Sequence, residues 1–208
     1  MAILSWRATT TDSSTSASSI VLSKPTGTVE DDILVAFVAG QGVGSWSGPG
    51  GSLSDQTEVS NGDIVGRFSM GTASGSEPSS YTFNNTTGPG PVIGIMMAFK
   101  DAGSSSFGGT ATDTRTATGS YLEFGPNMTV YAYASEEGGP LSAADTILTT
   151  GAGLIHGGMH YESAEDAGSA MTYDFVTESD DPEMITSGLS LFALASEQVQ
   201  GGSAILLL

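Results

Sequence analysis

The sequence contains no cysteine, and Lys and Arg together number only 5 among its 208 residues. Without cysteine, a disulfide framework, thiolate catalysis and a zinc site built on sulfur are all excluded. A chain of this length can bury a core of its own, so it needs no cross-link or metal for stability. Because 23 acidic residues face so few bases, the formal net charge is −18 and phosphate-rich partners are repelled. We therefore expect no nucleic-acid ligand.

Helical periodicity and long apolar runs are also scarce. No stretch approaches the apolar length needed to cross a bilayer, and residues 1–7 lack the basic start and apolar run of a secretion signal. The 29 glycines and the many Ser and Thr residues suit turns and strands better than helices. We expect an all-β protein without a membrane partner, released into the cytosol where it is made.

Strand candidates are short apolar or alternating runs separated by clusters of Gly, Pro, Asn and Ser. They are residues 20–22, 33–38, 64–70, 81–83, 92–99, 128–133, 154–161, 171–176 and 189–194. The intervening loops are residues 40–54, 71–80, 84–91 and 103–119. The last of these is the best candidate for a linker or a long crossover.

The halves on either side of this linker, about 1–102 and 120–200, resemble each other. In both, an apolar strand, a long loop, an aromatic-polar-aromatic strand and a closing apolar strand follow in order, with Ile33 and Met128 95 residues apart. We predict one antiparallel β-sandwich domain over residues 1–208, jelly-roll-like, from two similar four-stranded halves packed face to face. A chance likeness between two β-meanders is the alternative.

Aromatic residues indicate where the core lies. Strand alternation places the rings of Tyr81 and Phe83 on one side, which predicts a buried face. Trp46 lies in a Gly-rich loop and has two interpretations. Its indole either contacts a sugar or a partner, or folds back onto the core as a plug.

Residue patterns typical of catalysis or metal binding are not found. His156 and His160 are four apart, which on a strand separates them by about 13 Å, too far to share one ion. Nucleophile-elbow and dinucleotide motifs are missing. The acidic clusters at 30–32, 162–166 and 178–183 could offer oxygens to calcium, but their spacing favours solvated turns. We expect no enzyme, no metal and no cofactor.

The last residues of the sequence are uniformly apolar after a Gly-Gly-Ser hinge. Burying four such side chains is worth roughly 6–12 kcal/mol, so we expect them to pack as a last strand or against a neighbouring subunit. The predicted partner-binding residues are therefore Trp46, Ile205, Leu206, Leu207 and Leu208.

Four segments of the first half occur in a recognisable order: IVLSKP from Ile20, DDILVA from Asp31, EPSSYTF from Glu77 and VIGIM from Val92. This order resembles a β-sandwich module of tailed-phage virion structural proteins, of the head decoration and tail fibre type. Trp46 precedes Gly48-Pro49-Gly50 here, whereas the module places its tryptophan after such a turn. The role of that loop is therefore not carried over.

The resemblance implies a virion structural protein. A compact chain without heptads, a fibrous shaft or catalytic motifs, together with the apolar C-terminal segment, favours a capsid decoration or cement protein on the outer head surface, which stabilises the shell by protein–protein contacts. Its partners would be the major capsid protein or other virion proteins and further copies of itself, as a dimer or trimer. Assembly would occur in the host cytoplasm, and the final location would be the virion surface. The alternative is a tail fibre or receptor-binding appendage that contacts host glycan through loops around Trp46 and Phe107.

Overall fold

The computed structural model describes residues 4–42, 44–112, 116–119, 127–135, 148–152, 155–164, 171–174 and 184–193. All regular structure in these ranges is β-strand. The first eight strands are β1 (Ser5–Ala17), β2 (Ser19–Ser23), β3 (Ile33–Gln41), β4 (Trp46–Ser47), β5 (Ser54–Asn61), β6 (Ile64–Thr72), β7 (Ser80–Asn85) and β8 (Gly90–Lys100). The next seven are β9 (Ala102–Thr112), β10 (Thr116–Gly119), β11 (Asn127–Ser135), β12 (Leu148–Ala152), β13 (Ile155–Ala164), β14 (Met171–Asp174) and β15 (Met184–Ala193).

The strands form four antiparallel sheets. Sheet A has the order β1-β8-β3-β6-β5 and sheet B the order β2-β7-β4. Sheet C has the order β12-β13-β11-β15-β9, and sheet D pairs β10 with β14. In the first half, the strands β1-β8-β3-β6 of sheet A face the strands β2-β7-β4 of sheet B, and this is the strand order of a jelly roll. The predicted all-β, jelly-roll-like sandwich is confirmed.

Sheet A is covered on both faces, and β3 shows how. Ile33, Val35 and Phe37 belong to the core shared with sheet C, while Leu34 and Ala36 belong to the core shared with sheet B. Since successive side chains of a strand point to opposite faces, a strand between two layers is apolar at every position. This explains the uninterrupted apolar run of β3.

Sheet D lies against sheet C, because β10 contacts β9, β11 and β15. Tyr131, Tyr133 and His160 alternate with the residues that face sheet A, so they point away from it, and they are buried. The layers therefore follow the order B, A, C, D.

The two halves of the chain share one topology in the described strands. Counted from β9, the strand order of sheet C is β9-β15-β11-β13-β12, which matches β1-β8-β3-β6-β5 strand for strand, and β10-β14 matches β2-β7. Contacts between sheets A and C are reciprocal under this correspondence: β1 contacts β12 and β9 contacts β5, while β6 contacts β15 and β13 contacts β8. Such reciprocity characterises an isologous interface between two copies. Here it occurs within one chain.

Each predicted strand overlaps an observed one, but each half contains more than the four strands predicted for it. The large sheet of each half has five strands, not four. Residues 103–119 contain β9 and β10, and β9 pairs with β15 over most of its length. The strands absent from the prediction are β1, β4, β5, β9, β10 and β12, and each occupies an edge of its sheet. An edge strand is held mainly by backbone hydrogen bonds to one neighbour, so its sequence carries little apolar signal.

Candidate functional site

Trp46 is buried and cannot offer its indole to a partner. It is 1% exposed, its Nε1 donates a hydrogen bond to the carbonyl of Val65 at 2.9 Å, and its backbone N donates to the Glu58 carboxylate at 2.7 Å. The predicted partner-binding role of Trp46 is therefore corrected. Of the two interpretations of this residue, the structure agrees with the plug, because the ring gains more by filling the core between sheets A and B than by contacting water.

The C-terminal partner-binding residues Ile205, Leu206, Leu207 and Leu208 lie outside the described residues. The acidic cluster at 178–183 also lies outside them, and Glu162 is the first residue of a cluster that continues beyond the end of β13. The prediction of an apolar C-terminal anchor therefore stays a prediction.

The acidic cluster before β3 has a structural role. Asp32 is buried, and its carboxylate faces the Arg7 guanidinium, with Nε to Oδ2 at 2.6 Å and Nη2 donating to Oδ1 at 2.8 Å. The same carboxylate accepts a hydrogen bond from the backbone N of Val29 at 2.9 Å. Asp31 takes a left-handed backbone conformation, with φ of 71°. These contacts close the turn before β3 and attach it to β1.

Glu77 connects two loops at one end of the first jelly roll. Its carboxylate accepts hydrogen bonds from the Tyr81 hydroxyl at 2.6 Å, the Ser52 hydroxyl at 2.5 Å and the Ser74 backbone N at 2.7 Å. Burial raises its pKa, but the hydrogen bonds from Ser52, Tyr81 and Ser74 outweigh burial and lower the pKa to about 2. Burial, the hydrogen bond to Glu77 and its negative charge raise the pKa of Tyr81. Glu77 is thus held ionised as a structural bracket.

The histidines lie on a strand, as predicted for residues 154–161. Both belong to β13, with His160 buried and His156 half-buried. The His160 ring stacks on Tyr131, with 6.4 Å between centroids. In the part of the chain that the structure describes, no three His, Asp or Glu side chains are grouped to hold a metal ion.

An exposed tryptophan stacked on a half-buried tyrosine is the surface feature that sequence reasoning missed. Trp6 on β1 is 41% exposed, and its ring stacks on Tyr161 of β13, with 6.0 Å between centroids and 19° between planes. Its Nε1 donates to the Thr9 hydroxyl at 2.9 Å, and Phe99 meets Tyr161 edge-on at 5.9 Å. The pair joins the first half to the second. The only sequence signal was a large aromatic residue in an otherwise polar run.

The described residues define a class: an all-β protein of two stacked sandwiches, the first a jelly roll, with one exposed indole of the first half stacked on a tyrosine of the second. Comparison of the chain with protein-family models, with curated proteins and with solved structures gives no match. No helix in the described ranges is long and apolar enough to span a membrane.

Proposed function

We propose that this chain is a non-enzymatic virion structural protein, most specifically a decoration or cement protein on the outer head surface of a tailed phage. Its partners are the major capsid protein or other virion proteins, and it acts as a dimer or trimer. It reaches the virion surface after assembly in the host cytoplasm. It takes no cofactor.

The observation that carries this proposal is the back-to-back arrangement of the two halves. Sheets A and C share one apolar core, and sheets B and D lie on the two outer sides. A body built this way presents two related sheets in opposite directions. This geometry supports a protein that bridges two neighbours, which is what a cement protein does.

The position of the recognised segments gives further support. The segments that begin at Ile20, Asp31, Glu77 and Val92 supply β2, β3, β7 and β8 of one jelly roll. Of these strands, β3 and β8 are neighbours in sheet A, and β2 and β7 are neighbours in sheet B. Jelly rolls occur in many viral capsid and lectin domains, although a fold alone does not assign a function. Since those segments belong to one half, the resemblance concerns a single module that this chain contains in two related versions.

The surface chemistry is compatible with a shell-facing role. The formal charge of −18 disfavours contact with packaged nucleic acid and keeps outward faces solvated. On sheet B the outward positions of β2 and β7 carry Ser19, Val21, Thr82 and Asn84, a polar face with one exposed valine. Polar faces of this kind suit the wet rim of a protein interface.

The test is to locate and count the chain on purified particles of the phage that encodes it, by cryo-electron microscopy and mass spectrometry. Copies distributed over the whole capsid are expected. A few copies at the tail would overturn the decoration role in favour of an appendage, and absence from the particle would overturn both.

A second experiment tests the apolar C-terminal segment as the anchor. Purified chain is added to particles that lack it, and bound copies are counted for the natural sequence and for the double variant Leu206→Asp, Leu208→Asp. We expect the variant to fold, as judged by circular dichroism, and to bind at least about tenfold more weakly. Equal binding by a folded variant would remove the segment from the interface.

A further inference from the structure

The Trp6 indole is exposed on the surface, although burying a tryptophan is strongly favourable. The other tryptophan, Trp46, is 1% exposed, whereas Trp6 is 41% exposed. Tyr161 covers one face of the Trp6 ring by stacking at 19°. The opposite face of the indole is therefore a flat apolar surface open to solvent.

This indole is held in place before any ligand arrives. Its Nε1 is fixed by the Thr9 hydroxyl at 2.9 Å, and Tyr161 beneath it is braced by the edge of Phe99 at 5.9 Å. A side chain that is already ordered loses little conformational entropy when it binds. The stack on Tyr161 and the hydrogen bond to Thr9 thus hold the ring in one orientation in the free protein.

The charged residues near the indole in sequence and in the strand ladder are of both signs. Arg7 follows it in sequence and is paired with Asp32, while Lys100 lies opposite Ser5 in the β1–β8 ladder and is followed by Asp101. Local charge therefore selects neither a cation nor an anion, and the overall charge of −18 repels anions at longer range. The complementary ligand is neutral.

The residues flanking the indole carry hydroxyl groups. Thr9 and Thr11 lie on the same face of β1 as Trp6, because they stand opposite Met97 and Ile95 as Trp6 stands opposite Phe99, and β1 is an edge strand of sheet A. An apolar peptide would need further apolar contacts beside the ring, and on this face Thr9 and Thr11 offer hydroxyl groups instead. A ligand with an apolar ring face and a hydroxyl rim matches a single aromatic plane bordered by hydroxyl groups.

We propose that Trp6, supported by Tyr161 and Thr9, is a binding platform for one ring of a neutral saccharide. The sugar ring lies on the free face of the indole, and its hydroxyls exchange hydrogen bonds with the hydroxyl groups of Thr9 and Thr11. The platform lies between the two halves, so it exists only in the assembled pair of sandwiches. It does not depend on where the chain is located in a particle.

The probes are soluble neutral hexasaccharides of glucose, xylose and N-acetylglucosamine, titrated into the full chain by isothermal calorimetry, with affinity electrophoresis in gels containing the matching polysaccharides. We compare the natural chain with Trp6→Ala, Trp6→Tyr and Val21→Ala. Val21 is the matched control because it is an exposed apolar residue on sheet B. We expect at least one probe to bind the natural chain.

Trp6→Ala should weaken that binding about tenfold or more, Trp6→Tyr should retain part of it, and Val21→Ala should leave it unchanged. Circular dichroism and thermal melts establish that each variant is folded. No binding of any probe to the natural chain, or equal binding by Trp6→Ala, would overturn the proposal. Because the titrations use purified protein, their failure is distinct from a failure to find the chain on the capsid.

Discussion

Ile185 packs against Gly66 so closely that a Cβ atom on Gly66 would overlap the Cδ1 of Ile185. Ile93 occupies the same position over Gly157. Gly66 and Gly157 lie on the corresponding strands β6 and β13, while Ile93 and Ile185 lie on β8 and β15. Each half therefore inserts an isoleucine over a glycine of the other half. This reciprocal contact is the atomic counterpart of the isologous strand contacts between sheets A and C.

We predict that Gly66→Ala destabilises the protein by about 1–3 kcal/mol, because the new methyl group over-packs the core between the sheets. Ile185→Val removes the Cδ1 atom and costs about 1 kcal/mol by itself. The double variant should be more stable than the sum of the single losses predicts, as measured by urea denaturation. Additive losses would show that the contact does not couple the halves.

The mirror pair provides the control for this cycle. Gly157→Ala should be rescued less completely by Ile93→Val, because a Cβ there would also lie 2.8 Å from the backbone oxygen of Tyr133. A crossed pair, Gly66→Ala with Ile93→Val, should be additive since these residues belong to different contacts. Coupling in the crossed pair as strong as in the matched one would contradict the reciprocal arrangement.

Glu77→Gln should lower the free energy of unfolding by about 1–3 kcal/mol at neutral pH, because it weakens hydrogen bonds to a charged acceptor. The pKa of Glu77 is about 2 in the folded protein and 4.5 ordinarily. Its contribution is therefore fully present above the ordinary pKa and is lost as the pH falls toward the folded-state pKa. Urea denaturation of both proteins at neutral pH and near pH 3 measures this effect. The difference between their free energies of unfolding should be smaller near pH 3.

A matched variant separates the contribution of the Glu77 charge from that of a single hydrogen bond to Glu77. Tyr81→Phe removes one donor and leaves the carboxylate ionised, so we expect a loss of about 1 kcal/mol. The difference in free energy of unfolding between Glu77→Gln and the natural chain could also stay constant down to acidic pH. That result would mean that the ionised form of Glu77 does not stabilise the loops.

Asp32→Asn should destabilise the protein by about 3 kcal/mol, because it leaves the Arg7 guanidinium without its charged partner beside a buried site. Arg7 reaches solvent through part of its side chain, which places the expected loss at the low end for such pairs. Arg7→Lys retains the charge but not the planar fork, and should cost less. Thermal melts at low and high salt measure the stability losses of Asp32→Asn and Arg7→Lys. A strong dependence of these losses on salt would argue against a buried ion pair.

Trp46→Ala should cost about 3–5 kcal/mol by opening a cavity between sheets A and B. Trp46→Phe fills most of that space and should cost about 1–3 kcal/mol, since the Val65 carbonyl loses its donor. Trp6→Ala is the comparison and should cost about 1 kcal/mol, the worth of an aromatic stack. Equal losses for Trp6→Ala and Trp46→Ala in urea titrations would refute this ranking.

The environment of Trp46 explains why the sequence wrongly predicted this residue to bind a partner. The run around Trp46 is rich in glycine and looks like an exposed loop, but the loop folds back and its indole reaches Val65 of β6, 19 residues away. Trp6 lies in a strand and remains exposed because Tyr161 covers only one face of its ring. Both outcomes depend on contacts distant in sequence, which composition does not encode.

The sequence by itself determined the all-β class, the central strands and the likeness of the two halves. Strands such as β3 and β8 are buried on both faces, so their apolar runs are long enough to be read directly. The conserved order of strand types along each half follows from the same runs.

Only the tertiary structure decided the edge strands, the pairing of sheet A with sheet C and the exposure of each tryptophan. Strands β1 and β9 are polar because an edge is stabilised by backbone hydrogen bonds to one neighbour, which any sequence without proline can supply. The fit of Ile185 over Gly66 depends on the shape of two surfaces brought together by folding. Local pattern records which residues are apolar, whereas packing selects the partner that each of them meets.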